Sequence, residues 1–292
     1  MSSRVLPEFE LLTPQSIPEA LVMLQTYGEK ALIMAGGTDL LVEMKKSNTP
    51  REDILILSLA EIPGLDFVQN DSVEGLRIGA MATLAQMDQA AGVKENYTAL
   101  WSSALTNGTP QTRNMGTVVG NVLRGSPAGD CCCAILAHGG CVVLESPGGR
   151  REVSIDEFWL DYRVTARKPT EIAVEIKLPR PAAGTVSSFA SLARTSQDCS
   201  QLNFAVSLTL EGKICKNARL AIGAVGATLL RLKEAEAMLK GVEITEALLE
   251  KVVSTIPTQI CPIDDCRSTA AYRSEVAGIV AKRTIREALG WL

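Results

Sequence analysis

Residues able to grip an anionic ligand fall in two places. The first is Ile33-Met34-Ala35-Gly36-Gly37-Thr38-Asp39-Leu40-Leu41, and the second is Thr117-Val118-Val119-Gly120-Asn121, followed by Ser126-Pro127 and Asp130. A glycine has no Cβ, so the backbone can come close to a phosphate and can turn with φ > 0. N–H groups at such a turn, or at a helix start, then hold the negative charge. Two such segments far apart in sequence suggest an extended ligand held at two points, and a dinucleotide has that form. Each segment alone also reads as an ordinary tight turn. A Rossmann fingerprint needs G-x-G-x-x-G, which Ala35-Gly36-Gly37-Thr38 does not supply, and the G-K-[ST] of a P-loop is absent.

The elements that must carry these residues can be read from caps and periodicity. Ser16-x-x-Glu19 is a capping box with Pro18 in the first turn, opening a helix that ends at Gly28. A strand over 31–34 leads into the first glycine segment, and a helix over 39–46 follows. Thr38 is its expected cap, Asp39 faces its positive end, and Lys45 and Lys46 face its negative end. Strands are expected over 53–57 and 76–79. The second leads through Ala80-Met81-Ala82-Thr83 into a helix over 84–91, repeating the first unit. Ala80 and Thr83 are thereby candidates to face the ligand, with Thr83 equally readable as a simple cap. Residues 107–117 (NGTPQTRNMGT) are polar and turn-rich, and read as an irregular functional loop beginning at Asn107. Asp130 then opens a helix over 131–137, either as its N-cap or as an acceptor for sugar hydroxyls. Strands over 141–144 and 171–178 bracket a turn at 146–149 and a short helix near 155–159. Beyond Pro179, Pro181 and Gly184 the order changes to three antiparallel strands (188–193, 203–210, 218–225) and three helices (232–239, 244–256, 268–289). That order is α+β.

Composition bounds the partners. The 292 residues are 46% hydrophobic and 21% charged with a net charge of −4, ordinary for a globular chain and unsuited to nucleic acid or an anionic membrane. The first residues carry no apolar run of signal-peptide type, and the longest apolar stretch, 220–230, is too short to span a bilayer. The expected location is the cytoplasm. Eight cysteines there do not imply a disulfide framework. Cys131, Cys132 and Cys133 are consecutive, and on a helix they point about 100° apart, so they read as small core residues rather than as ligands of one metal. The single histidine, His138, sits at a helix end, where a structural role is expected. Neither a Ser/His/Asp arrangement nor a metal-ligand spacing is present, so no catalytic or metal-binding residue is assigned.

Taken together, these residues resemble the FAD-binding subunit, or middle segment, of the molybdenum hydroxylases. That family includes xanthine dehydrogenase, carbon monoxide dehydrogenase and 4-hydroxybenzoyl-CoA reductase. Its approximate pattern A-G-G-T-D-L, T-x-G-G-N and S-P-x-x-D falls on 35–40, 117–121 and 126–130. Further similarity lies at Gln111-x-Arg113-Asn114, Arg194-x-x-x-Asp198, and Pro262-x-Asp264-x-x-Arg267-Ser268 with Tyr272-Arg273. Three departures stand out: Val119 replaces the first glycine of a pair, Ala190 stands where some relatives carry lysine, and the three-cysteine run is unusual.

The resemblance implies an α+β chain. A two-subdomain FAD-binding domain of the PCMH/CO dehydrogenase flavoprotein type would occupy 1–180, with subdomains of about 1–60 and 61–180. A C-terminal domain over 181–292 would combine a three-stranded antiparallel sheet with a helical bundle. It implies that Ile33, Met34, Ala35, Gly36, Gly37, Thr38, Asp39 and Leu40, with Asn107, Thr117, Val118, Val119, Gly120, Asn121 and Ser126, bind FAD, the two loops gripping its pyrophosphate with donors from Gly36, Gly37, Thr38 and Asn121. Asp130 would take a sugar hydroxyl, Ala80, Thr83, Ala173 and Val174 would lie near the cofactor, and Arg194 would reach the ring. It further implies a large partner subunit with a molybdenum cofactor, a small partner with [2Fe–2S] clusters, and a soluble acceptor such as NAD or a quinone. A self-sufficient FAD oxidase of the same fold, and a flavin-free scaffold, are the alternatives. Gly37→Asp is expected to place charge against the pyrophosphate.

Overall fold

In the computed structural model, residues 5–46 and 54–291 are described. The chain opens with β1 (Glu10–Leu12), α1 (Ile17–Tyr27), β2 (Ala31–Met34), α2 (Leu40–Lys46) and β3 (Leu55–Ser58). These strands form a parallel sheet in the order β1-β3-β2. The central strand β3 is buried at all four positions. Asp53, expected to begin that strand, lies outside the described residues. The Ser16 hydroxyl caps α1 by accepting from Glu19 N at 3.3 Å, and Ala20, Leu21 and Leu24 form its buried face.

The next segment runs through β4 (Val68–Asp71), β5 (Gly75–Gly79), α3 (Gln86–Gln89), α4 (Val93–Asn96), α5 (Thr98–Thr106), α6 (Pro110–Met115), α7 (Val118–Leu123) and α8 (Asp130–His138). It continues with β6 (Cys141–Ser146), β7 (Gly149–Ser154), β8 (Trp159–Asp161), β9 (Val164–Thr165) and β10 (Ile172–Leu178). Five of these strands make an antiparallel sheet, β4-β5-β10-β6-β7. The expected repeat of the first βα unit therefore fails here. The helix expected over 84–91 is a single turn because residues 80–84 are tied into a turn and cross-chain bonds: Ala80 N donates to Val174 O, Ala82 N to Gly79 O, Val118 N to Ala82 O, and Leu84 N to Gly116 O. The stretch expected to be an irregular loop contains α6, with Thr109 as N-cap and Pro110 in the first turn, and then α7, capped by Thr117. Both caps follow ordinary N-terminal chemistry.

The remainder is β11 (Thr185–Leu192), β12 (Leu202–Glu211), β13 (Ile214–Gly223), β14 (Leu230–Arg231), α9 (Lys233–Leu239), α10 (Glu246–Ser254) and α11 (Ala270–Ala288). Its antiparallel sheet has four strands rather than three, the fourth being the two-residue β14. Alternation along β12 assigns its faces. Leu202, Phe204, Val206 and Leu208 join a core with Leu249, Val252, Ala277 and Ile285 of α10 and α11. Ala205, with Phe189 and Ala221, joins the core built around α5 and α8. Every residue of α8 is buried, so this helix is the spine between the two sheets. The fold class is α+β.

Candidate functional site

The two glycine segments meet. A Cβ placed on Gly36 would lie 1.8 Å from the Met115 carbonyl oxygen and 2.6 Å from its carbon. Only glycine allows this approach. The loop after β2 thus lies directly against the α6–α7 junction. Gly37 turns the chain with φ +69°. A Cβ there would face Met34 Sδ and Leu41 Cδ1 at 3.2 and 3.3 Å, so any side chain at Gly37, including that of Gly37→Asp, starts toward these two residues and strains a left-handed backbone.

The loop leaves its donors free. Among the described residues, no protein group accepts from the backbone N–H groups of Ala35, Gly36, Gly37, Thr38 or Asp39. The expected cap also differs: Leu41 N bonds to Gly37 O, and among the described residues the Thr38 hydroxyl has no hydrogen-bond partner. Consecutive unpaired backbone donors ahead of a helix are the kind of group that can hold an anion. Leu40 is the first residue of α2, and Ile33 and Met34 end β2.

Opposite it, the α7 terminus is mostly self-satisfied. Val118 N donates to Ala82 O, Gly120 N to the Thr117 hydroxyl at 3.0 Å, and Asn121 N to Thr117 O. Gly120 N is thus already bonded within the chain, while among the described residues no protein group accepts from Val119 N. The Val118 and Val119 side chains are core residues, which is why Val119 tolerates a position that can hold glycine. Asn121 is anchored from behind, because Cys132 Sγ lies 3.4 Å from its O and 3.5 Å from its Oδ1.

Ala80 and Thr83 lie beside these segments: Ala80 N donates to Val174 O. Thr83 pairs with Thr117 in an isolated antiparallel bridge. Its N–H donates to Gln86 Oε1 at 2.7 Å while its hydroxyl accepts from Gln86 N at 3.3 Å, the reciprocal bonds of a capping box. Ala173 and Val174 are buried at an irregularity in β10, which turns the Val174 carbonyl toward Ala80. Asn107 ends α5 beside Gly108, whose carbonyl accepts from Arg113 Nη1 at 2.8 Å.

Ser126 turns the chain toward Asp130, its hydroxyl accepting from Ala128 N and its carbonyl from Gly129 N. Asp130 is not the N-cap of α8; Gly129 occupies that position. The Asp130 carboxylate is buried and accepts from Ser200 Oγ and Asn203 Nδ2. Burial raises its pKa, and those two bonds oppose the rise. Arg194 stands apart: it lies exposed after β11 and pairs with Asp198 at 3.1 Å, and no hydrogen bond or ion pair joins it to the other candidate residues.

The three cysteines point to three different neighbours. Cys131 bonds toward Ser103 of α5, Cys132 toward Asn121 of α7, and Cys133 Sγ toward Ala221 O of β13 at 3.4 Å. Burial pushes the Cys131 thiol up to about 12 and raises the other two well above the ordinary range. Thiols so buried are unreactive. His138 is buried too, and burial lowers its pKa to about 4, helped by the Arg219 charge. The cation at the C-terminus of α8 is Arg219, which donates to Leu136 O.

One ion-pair chain joins the segments from outside. Arg124, at the end of α7, reaches Glu43 at 2.8 Å and Asp39 at 3.5 Å, and Glu43 also pairs with Arg163 at 3.1 Å. Nothing in the spacing of these residues signals the contact. Arg124→Glu is expected to weaken ligand retention by up to about fivefold, the range of half-exposed ion pairs. Glu43→Arg should weaken it too, because it sets like charges on Arg124 and Arg163 together, as read by a binding titration. Equal binding by wild type and both variants would remove the clamp.

Comparison with known proteins agrees with this architecture. Residues 7–181 match the family described as FAD binding domain in molybdopterin dehydrogenase, and residues 187–288 match the CO dehydrogenase flavoprotein C-terminal domain. The carbon monoxide dehydrogenase medium chain of Hydrogenophaga pseudoflava is 30% identical over 282 residues, covering 97% of each chain. The nicotinate dehydrogenase FAD-subunit of Eubacterium barkeri is 29% identical, covering 94% of each. A solved carbon monoxide dehydrogenase from Hydrogenophaga pseudoflava, lacking the Mo-pyranopterin moiety of its molybdenum cofactor, superposes with a TM-score of 0.93 at 30% identity, covering 98% of this chain and 99% of that one. With one family match spanning more than half of its length, this chain belongs to the FAD-binding domain family of the molybdopterin dehydrogenases.

Proposed function

We propose that this chain is the FAD-carrying medium subunit of a molybdenum hydroxylase-type complex. The observation that carries the reading is the run of five unpaired N–H groups at Ala35–Asp39 lying against the α6–α7 junction. A pyrophosphate carries two adjacent negative charges, and this donor set fits it. Ala35 to Asp39 and Val119 N would hold the phosphates, with the Thr38 hydroxyl and the Asn121 side chain as further donors. Asp130 would accept from a sugar hydroxyl. Ala80, Thr83, Ala173 and Val174 would wall the pocket, and Arg194 would stand at its entrance. The chain would divide near residue 180 into the FAD-binding part and the part behind it.

FAD, when bound, supplies the redox chemistry, exchanging electrons with the [2Fe–2S] clusters of a small partner subunit and with an acceptor such as NAD or a quinone. The large partner would carry the molybdenum cofactor and the organic substrate. The residues of this chain hold and orient the cofactor. No pair of side chains in the site is arranged for general acid–base work, which favours a relay over a self-sufficient oxidase. The complex is expected to work in the cytoplasm.

Purifying this chain without partners tests the reading. It should carry close to one flavin per chain and turn over no organic substrate at a significant rate. Sustained substrate oxidation by the lone chain would establish the oxidase instead, and a colourless chain that takes up no added FAD would leave only a scaffold.

A further inference from the structure

Segment 126–130 is held from the C-terminal sheet as well as by its own turn. Pro127 O accepts from Ala224 N at 2.7 Å, and Ala128 O accepts from Asn203 Nδ2 at 3.3 Å. Asp130 Oδ1 accepts from Asn203 Nδ2 at 2.7 Å and from Ser200 Oγ at 2.6 Å. All of these donors belong to β12 or to residues flanking the C-terminal sheet. Ser200 and Asn203 are both completely buried. Ser200 has a single hydroxyl proton; giving it to Asp130 leaves its oxygen to accept from Ser191 Oγ, 2.6 Å away. Both donors converge on Oδ1, and Oδ2 has no hydrogen-bond partner among the described residues.

The environment of Asn203 indicates what its amide is for. Its Oδ1 is buried with no partner. It faces Gly223, where a Cβ would lie 2.2 Å from it. A buried unpaired carbonyl is destabilising, and an apolar side chain would avoid it. What the amide provides in return is its NH2 group on Ala128 O and Asp130. Burial disfavours the charged carboxylate, and the two donors favour it.

We propose that Ser200 and Asn203 are positioning residues for the cofactor: the C-terminal sheet grips Asp130 by one oxygen so that the other is presented to a sugar hydroxyl of FAD. The inference rests on the reading of Asp130 as an FAD contact. It makes Ser200 and Asn203 part of the binding site although neither touches the ligand.

A double-mutant cycle on the full chain tests it. FAD is stripped and rebound by titration, following flavin fluorescence, for wild type, Ser200→Ala, Asn203→Leu, Asp130→Ala and the combined variants. Each of Ser200→Ala and Asn203→Leu should raise the FAD Kd about tenfold, the scale of losing one hydrogen bond to a charged group. In the Asp130→Ala background neither should raise it further. A stability effect alone would persist in both backgrounds, so an additive cycle overturns the positioning role. Wild-type affinity in Ser200→Ala and Asn203→Leu, with Asp130→Ala impaired, overturns it too while leaving the Asp130 contact intact. Wild-type affinity in Asp130→Ala removes the contact itself, and the proposal with it. If Asn203→Leu does not fold, Ser200→Ala, which deletes one oxygen atom, decides the matter.

Discussion

Gly36→Ala should empty the flavin site while leaving most of the fold standing. The new methyl carbon would overlap the Met115 carbonyl oxygen, 1.8 Å from its position. A backbone carbonyl cannot turn aside as a side chain would. The α6–α7 junction is also pinned on its far side, where Leu84 N bonds Gly116 O at 2.9 Å and Ala85 N bonds Arg113 O at 3.1 Å. The loop at 35–39 must therefore retreat by more than an ångström. Hydrogen bonds to a charged group are worth about 1.5–3 kcal/mol each, so misplacing two of them weakens FAD by about a hundredfold or more. The loop is at the surface of the α/β layer, and overpacking there costs the fold about 1–3 kcal/mol. Gly148→Ala is the matched control, because a Cβ there meets only Ser146 Oγ at 3.7 Å. Flavin content per chain and a rebinding titration read the outcome. Full flavin in the Gly36→Ala protein would mean that the loop and the junction do not jointly hold the cofactor.

The second large effect is on stability in acid. His138 ends α8 with its ring edge-on to Tyr97 at 5.3 Å, and burial lowers its pKa to about 4. An unfolded histidine titrates near 6.5. Above pH ~6.5 the ring is neutral in both states, and its contribution is fully present. Between ~6.5 and ~4 the unfolded chain takes up a proton that the folded chain refuses, so stability falls as pH falls. The loss approaches ~1.4 kcal/mol per pH unit and totals about 3 kcal/mol by pH ~4. Carboxylates whose pKa is lowered by partners, such as Asp265 beside Arg273 and Glu171 beside Arg151, add their own loss at the acid end. The difference between wild type and His138→Gln isolates the histidine. Denaturant midpoints of the two proteins should converge between pH 7 and pH 4.5, and curves that stay parallel would refute a neutral buried His138.

Much of the site was legible because glycine and capping residues act locally. Gly36-Gly37 after a strand, Thr117 ahead of a helix, and Ser126 to Asp130 each have a short-range reason to be where they are. The strands and helices beyond residue 180 were legible through alternation, as in Leu202, Phe204, Val206 and Leu208. Three things were not legible. Residues 110–115 form a helix with no apolar periodicity, so only the Thr109-Pro110 cap could have signalled it. The direction of β5 depends on pairing with β4 and β10, which no local pattern encodes. The partners of the site residues are also distant: Met115 for Gly36, and Ser200 and Asn203 for Asp130. A sequence shows which residue lacks a side chain or carries a charge. It does not show which remote carbonyl fills the gap or which hydroxyl holds the charge.

In the proposed subunit, the free N–H groups of the loop after β2 and the start of α7 hold the phosphates of FAD. Backbone amide hydrogen exchange, compared between the FAD-loaded and FAD-stripped chain, reads those groups directly. Ala35 through Asp39 and Val119 should slow by about tenfold or more when FAD is bound, while Gly120 and Asn121, already bonded to Thr117, change little. Unaltered exchange at 35–39 in a chain that demonstrably carries flavin would contradict the account.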